Sequence, residues 1–279
     1  MRATMIPTVF NWLFKARTWS AFRFRSEFTR RAWAHAERLF SDLFPNGYDG
    51  EVFLCGGAFK PLLKQGLVIS DIDLFVRTLQ DREKLCAALL AHGAFLIQEF
   101  PPNCIKFWLK GQVVEVAYHD VESGSLDDLL SIFDLALCGI GSRYAKGRVS
   151  EVQIRMDFWN AVRHRSVNAQ SSYLKLLISQ KDPRLLSSLH RMVRQAVELN
   201  YRVNPNDERL LWEIYWDVFT EMDRLAATDY YVKTIVQYKG WHDGDFLGTA
   251  NSRPLTICPA RAAQLHPPEG LWRKMWWTK

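Results

Sequence analysis

Apolar and polar positions change rhythm along this chain, and the change separates two kinds of element. Residues 27–44 place Phe28, Ala32, Ala36, Leu39 and Phe40 at helical spacing, with Pro45-Asn-Gly47 as the stop. A short apolar run over 51–55 predicts a strand. Gly56-Gly57 then turns into a short helix, Ala58 to Gln65, ended by Gly66. Residues 71–76 predict a second strand, and 80–92 a helix with Leu85, Leu89 and Leu90 on one side and Gly93 after it. Strands over 104–109 and 112–118 follow, joined at Lys110-Gly111 as a hairpin. A turn of helix at Leu126 to Leu130 leads to the run Phe133 to Leu137, and Gly139, Gly141 and Gly147 punctuate a further hairpin. Beyond residue 157 glycine disappears until Gly240, and helical periodicity covers 157–165, 170–180, 185–200 and 207–226. Four regions result: a basic, aromatic helical segment (1–48), a mixed strand and helix region (49–156), a helical region (157–249) and an extended arm (250–279).

Carboxylates interrupt the apolar runs at three places. Asp71 and Asp73 lie one residue apart in Val68-Ile-Ser-Asp-Ile-Asp-Leu-Phe-Val76, and Glu115 sits within Val113-Val-Glu-Val-Ala117. Alternate side chains of a strand share a face, so Asp71 and Asp73 point one way while Ile72, Leu74 and Val76 point to the core. If the two strands are neighbours, Glu115 joins them. Three anions so placed repel and are costly to desolvate unless a cation neutralises them. Oxygen donors without nearby His or Cys favour Mg²⁺ or Mn²⁺. Two such ions can clamp the attacking and leaving oxygens of a phosphoryl displacement. Gly56 and Gly57 supply backbone that a triphosphate can approach, the following helix offers its N-terminal N–H groups, and Lys60 adds charge. Taken one at a time, a Gly-Gly is a turn, an Asp-x-Asp is a cap and a strand Glu faces solvent. Their order along one region is what points to metal-dependent phosphoryl or nucleotidyl transfer.

Composition narrows the picture without identifying a partner. The chain has 279 residues, 48% hydrophobic and 24% charged, which is ordinary globular usage. A net charge of +6 favours polyanionic partners such as nucleic acid. The cysteines (55, 86, 104, 138, 258) lack the spacing of a metal knuckle and read as reduced thiols of a cytoplasmic protein. No stretch is long and apolar enough to span a bilayer. The first 26 residues carry Arg2, Lys15, Arg17, Arg23 and Arg25 and no acid. That composition suits an organelle transit peptide or, alternatively, a packed basic helix.

The segment Leu54-Cys-Gly-Gly-Ala-Phe-Lys60 through Ser70-Asp-Ile-Asp-Leu-Phe75 resembles the head domain of tRNA CCA-adding enzymes and bacterial poly(A) polymerases, within the DNA polymerase β superfamily. The resemblance implies an α+β fold: a nucleotidyltransferase head with a mixed β-sheet flanked by helices, then a helical neck and body. It implies transfer of a nucleoside monophosphate from an NTP to an acceptor hydroxyl, an RNA 3′ end above all. It assigns Asp71 and Asp73 to metal, Glu115 to the third carboxylate, and Gly56 and Gly57 to the phosphates. Asp134 in Phe133-Asp-Leu135 matches a head-strand aspartate. Arg191 and Arg194, in Arg191-Met-Val-Arg-Gln-Ala-Val-Glu-Leu-Asn-Tyr201, match the Arg-rich neck helix and could reach the triphosphate. The chain departs from the pattern at Lys60 (family arginine), Pro61 (aspartate), Ile132 and Phe133 (arginines), and Leu185 and Ser188 (the base-reading pair).

Further positions have weaker claims. Arg155, Arg163 and Arg165, with His164, form a basic stretch suited to a phosphate backbone or simply to solvent. His119 ends the Glu115 strand, Trp241-His-Asp-Gly-Asp245 is turn-like, and Trp276-Trp277 could stack or pack. Two other functions stay open: a nucleotidyltransferase acting on protein or a small molecule, and a non-catalytic nucleic-acid-binding or assembly module on the same fold.

Overall fold

The computed structural model describes residues 6–69, 71–100, 104–118 and 124–232. His119, the Trp241–Asp245 turn, Cys258, Trp276-Trp277 and the 250–279 arm lie outside the described residues. Two compact units result, one from residues 1–173 with 197–202, the other from 174–196 with 203–279. No described helix is long and apolar enough to cross a membrane.

The first unit is built on one mixed sheet. In chain order its elements are α1 (Ile6–Leu43), β1 (Val52–Cys55), a 3₁₀ turn (Gly56–Leu62), β2 (Asp71–Val76), α2 (Leu79–Ala91), β3 (Phe95–Phe100) and β4 (Cys104–Leu109). β5 (Gln112–Tyr118), α3 (Leu126–Ser131), β6 (Ile140–Ala145), β7 (Arg148–Ile154) and α4 (Met156–His164) follow. The seven strands run in the order β3-β4-β5-β2-β1-β6-β7. β2 and β5 are parallel, and every other pair is antiparallel.

One face of the sheet is apolar throughout its centre. Ile72, Leu74 and Val76 of β2, Val114 and Val116 of β5, and Val52 and Leu54 of β1 are all buried there. α1 covers part of it: Phe40 stacks on Tyr144 with ring centroids 4.6 Å apart, and Tyr144 sits opposite Val52. Thr78 caps α2, its hydroxyl accepting from the Asp81 N–H, and α2 buries Leu85 and Leu89. The opposite face is divided. α3 covers one part, packing Leu126, Leu129 and Leu130 on Phe53 and Cys55, with Phe75, Ile132 and Phe133 around them. The other part carries the carboxylates.

Two elements differ from their sequence expectation. β3 has no clean alternation because its register shifts between Leu96 and Gln98, and Phe95 and Leu96 are both exposed on this edge strand. In the second unit, the helix expected over 207–226 is broken. α5 (Ser171–Gln180) and α6 (Leu185–Leu199) precede α7 (Pro205–Glu213), which relaxes into a π turn at Ile214–Val218. A capping box between Thr220 and Asp223 then starts α8 (Glu221–Tyr231) afresh. α1 also reaches much further back than residue 27.

Gly141 explains how α3 lies so close to the sheet. A Cβ there would meet Cys55 Sγ at 3.0 Å and the Leu126 and Leu130 methyls at 3.1 Å. Gly141→Ala is expected to destabilise the protein by about 1–3 kcal/mol through overpacking. Thermal melting checks this, with a drop of several degrees expected; an unchanged melting temperature contradicts the packing account.

Candidate active site

The register of the central strands puts the acids in a row. Parallel pairing of β2 with β5 sets Asp71 opposite Val113 and Asp73 opposite Glu115. Paired residues project to the same face, so Asp71, Asp73 and Glu115 share the face that Ile72, Leu74 and Val76 leave. Antiparallel pairing of β4 with β5 sets Lys106 opposite Glu115. The Lys106 ammonium meets the Glu115 carboxylate at 2.7 Å, and its side chain is only 8% exposed against 26% for Glu115. The row therefore reads Lys106, Glu115, Asp73 across three adjacent strands.

Two thiols border this row. Cys104 is hydrogen-bonded to Glu115, and burial together with that carboxylate raises its thiol well above the usual range. Burial first, then the Asp73 charge, raises the fully buried Cys55 as well. Both remain neutral thiols, which excludes them as thiolate nucleophiles. The four described cysteines are free.

β1 delivers the chain to the glycine turn immediately after Cys55. Gly56 has φ +62°, a left-handed backbone that favours glycine. A Cβ on Gly57 would meet nothing within 4 Å, so packing does not explain that glycine. The expected α-helix after it is a 3₁₀ turn of seven residues, Gly56–Leu62, with Ala58 and Phe59 buried. So short a turn has little aligned dipole, and the glycine backbone rather than a helix terminus is left to meet an anion. Lys60 is held: its ammonium donates to the Glu198 carboxylate at 2.9 Å, while Lys64 donates to the Glu198 carbonyl at 2.6 Å. Buried His35 of α1 donates from Nε2 to the Ala58 carbonyl at 2.8 Å and accepts from Arg38 at Nδ1, 3.0 Å away.

The remaining sequence candidates occupy other places. Asp134 is buried and its Oδ1 accepts from the Leu135 N–H at 2.9 Å, which orders its own turn. Arg155 pairs with Asp127 of α3 at 2.8 Å. Arg163 and Arg165 are exposed at the end of α4, and Arg165 has φ +47°. Arg191 and Arg194 are half-buried on α6, in the second unit. Sequence reasoning missed Lys106, His35 and Glu198. The signal for Lys106 was present, a charge inside the apolar run Cys104-Ile-Lys-Phe-Trp-Leu109, the same signal that singled out Glu115.

Asp71 and Asp73 suit a hard cation by donor type and by shared face. Glu115 does not simply complete the set. Among the described residues, no three or more His, Cys, Asp or Glu side chains are gathered as a metal would need, because Glu115 is drawn to Lys106.

No family model and no curated protein matches the chain. The chain is similar in fold to CCA-adding enzymes. One such enzyme in an apo form aligns at TM-score 0.49 and 16% identity, over 71% of this chain and 51% of that one. A tRNA nucleotidyltransferase complexed with a primer tRNA and an incoming ATP analog aligns at 0.45 and 17%, over 70% and 60%. A tRNA-processing enzyme in apo form aligns at 0.46 and 17%, over 75% and 56%. The chain spans little more than half the length of these solved chains. At such identity and TM-score the likeness is one of architecture.

The His35 contacts imply a pH dependence. Burial, with the Arg38 charge adding to it, lowers the ring below its ordinary value of 6.5, outweighing the opposing bond to Ala58. Folding thus favours the neutral ring. That stability is complete above the ordinary value and is lost as pH falls through the lowered one. Between about pH 7.5 and about pH 5.5 the melting temperature should fall more for the native protein than for His35→Gln. Equal falls in parallel melting curves would refute the assignment.

Proposed function

We propose that the chain is a metal-dependent nucleotidyltransferase that moves a nucleoside monophosphate from an NTP to an acceptor hydroxyl. The observation that carries this reading is the β2–β5 register, which brings Asp71, Asp73 and Glu115 to one face of the sheet. The glycine turn that leaves β1 beside β2 supports it, with the open space in front of Gly57 available to phosphate oxygens. The resemblance of the Leu54–Lys60 and Ser70–Phe75 segments to CCA-adding head domains supports it independently.

In this reading Asp71 and Asp73 hold Mg²⁺ or Mn²⁺, whose charge would offset that developing on the departing pyrophosphate. The acceptor oxygen forms a bond to the α-phosphorus, the bond from that phosphorus to the β-phosphate oxygen breaks, and the acceptor's proton passes to water. Backbone N–H groups at Gly56 and Gly57 bind the triphosphate, since Lys60 is already engaged by Glu198. Glu115 extends the negative face by one strand. An RNA 3′ end is the acceptor best suited to the net charge of +6 and to exposed Arg163 and Arg165.

A second reading, a non-catalytic module on this fold, is favoured by one observation. The cation at the glycine turn and the third carboxylate are both tied up in ion pairs. Calorimetry with Mg²⁺ and each NTP separates the two, because only the transferase reading expects metal-dependent nucleotide binding.

The decisive experiment offers each of the four labelled NTPs with a total RNA pool and, separately, with lysate protein. Label on RNA ends is expected; label on protein instead would redirect the acceptor to the toxin-like alternative. Asp73→Asn is expected to fold and to lower incorporation at least ~100-fold, as removal of one electrostatic stabiliser does elsewhere. Turnover undiminished in Mg²⁺ would remove Asp73 from the reaction.

A further inference from the structure

Lys106 is the charge in this site that the reaction just described does not use. It lies inside β4, opposite Glu115, and Glu115 lies opposite Asp73 on the other side. Its side chain is nearly buried, and its ammonium is 2.7 Å from Glu115. A buried ammonium is tolerated only with a partner; taking the partner away strands the charge in a medium that solvates it poorly. A metal ion that recruited Glu115 would do this to Lys106, and would also break the hydrogen bond between Glu115 and the Cys104 thiol. Asp71 and Asp73 stand nearer the glycine turn, on the strand next to β1, and can take a cation without that penalty. Of the three negative charges on this face, Lys106 compensates one and leaves two, a charge that a single divalent ion balances.

We propose, on the reading given above, that Lys106 is a positioning residue that holds Glu115 off the divalent cation, so that the nucleotide-free protein binds the ion through Asp71 and Asp73 alone. The third carboxylate is kept in the row as the partner of a tethered cation. A second ion then has no ready protein ligand set and depends on the oxygens that an NTP carries in.

The test is Mn²⁺ binding to the full chain without nucleotide, followed by electron paramagnetic resonance, with melting curves on the same samples. Four variants are compared with the native protein. Lys106→Met removes the tether, and affinity is expected to rise about tenfold or more as Glu115 becomes a ligand. Combining it with Glu115→Gln is expected to restore the native value. Lys106→Arg keeps the charge and is expected to bind like the native chain, an outcome that a purely structural role for Lys106 does not predict together with the first. Glu115→Gln alone keeps a hydrogen-bond acceptor for Lys106 and is expected to leave affinity within about twofold. Should Lys106→Met not fold, Glu115→Gln still decides: weakening by about tenfold would make Glu115 a ligand and overturn the proposal. Unchanged affinity in a folded Lys106→Met would overturn it as well. Asp73→Asn separates this failure from that of the transferase reading. If Asp73→Asn abolishes binding while Lys106→Met does nothing, only the role of Lys106 falls; if the native chain and Asp73→Asn bind Mn²⁺ alike, both fall.

Discussion

Parallel pairing of β2 with β5 is the constraint on which this site depends. A parallel pair cannot be closed by a hairpin and needs a long crossover. The chain supplies one in α2 followed by the β3–β4 hairpin, which returns β5 to the flank of β2. β2 thereby becomes an interior strand between β1 and β5, buried on alternate residues. The apolar face enforces the register, since Ile72 must meet Val114 and Leu74 must meet Val116. A slip of one residue would turn Glu115 into the core and Val114 into the carboxylate row. The positions of the acids are therefore set by valines and leucines on the other side of the sheet.

Charge on the functional face is compensated wherever burial is deep. At one end Lys106 serves Glu115. At the other, Glu51, just ahead of β1, pairs with both Arg77 and Arg143. Arg77 also covers the Phe53 ring at 5.2 Å and donates to the Gly124 carbonyl. Between the two ends α3 seals the sheet with leucines over Phe53 and Cys55. Asp71 and Asp73 lie between a sealed apolar patch and a compensated ion pair, which confines the negative potential to a small part of the face. Such focusing is what attracts a divalent ion rather than dispersed counter-ions.

Much of this arrangement was legible in the sequence. The alternation in 71–76 and 112–118 fixed which residues share a face, and local punctuation at Lys110-Gly111 and Gly93 marked element ends within a residue or so. What could not be read were partners set by tertiary structure. Nothing near Glu115 in sequence announces Lys106, because the pairing arises from a hairpin register. Nothing near Lys60 announces Glu198, which lies 138 residues away. β3 escaped notice because edge strands need not alternate and its bulge breaks the period. The break before α8 escaped because Asp223 reads as one more helical acid until Thr220 is seen to cap it.

The glycine turn shows the same division between local and distant causes. Gly56 supplies the left-handed backbone from its own chemistry. What holds the turn still comes from elsewhere: His35 of α1 bonds the Ala58 carbonyl, and Glu198 of α6 gathers Lys60 and Lys64. These contacts fix the turn without placing protein atoms in front of Gly57. They also spend the lysine charge internally, so an anion that docks there must be bound by backbone N–H groups and by a cation shared with Asp71 and Asp73. Recognition of that kind depends on phosphate and metal together and not on either alone, which ties nucleotide binding at this turn to occupancy of the aspartate pair one strand away.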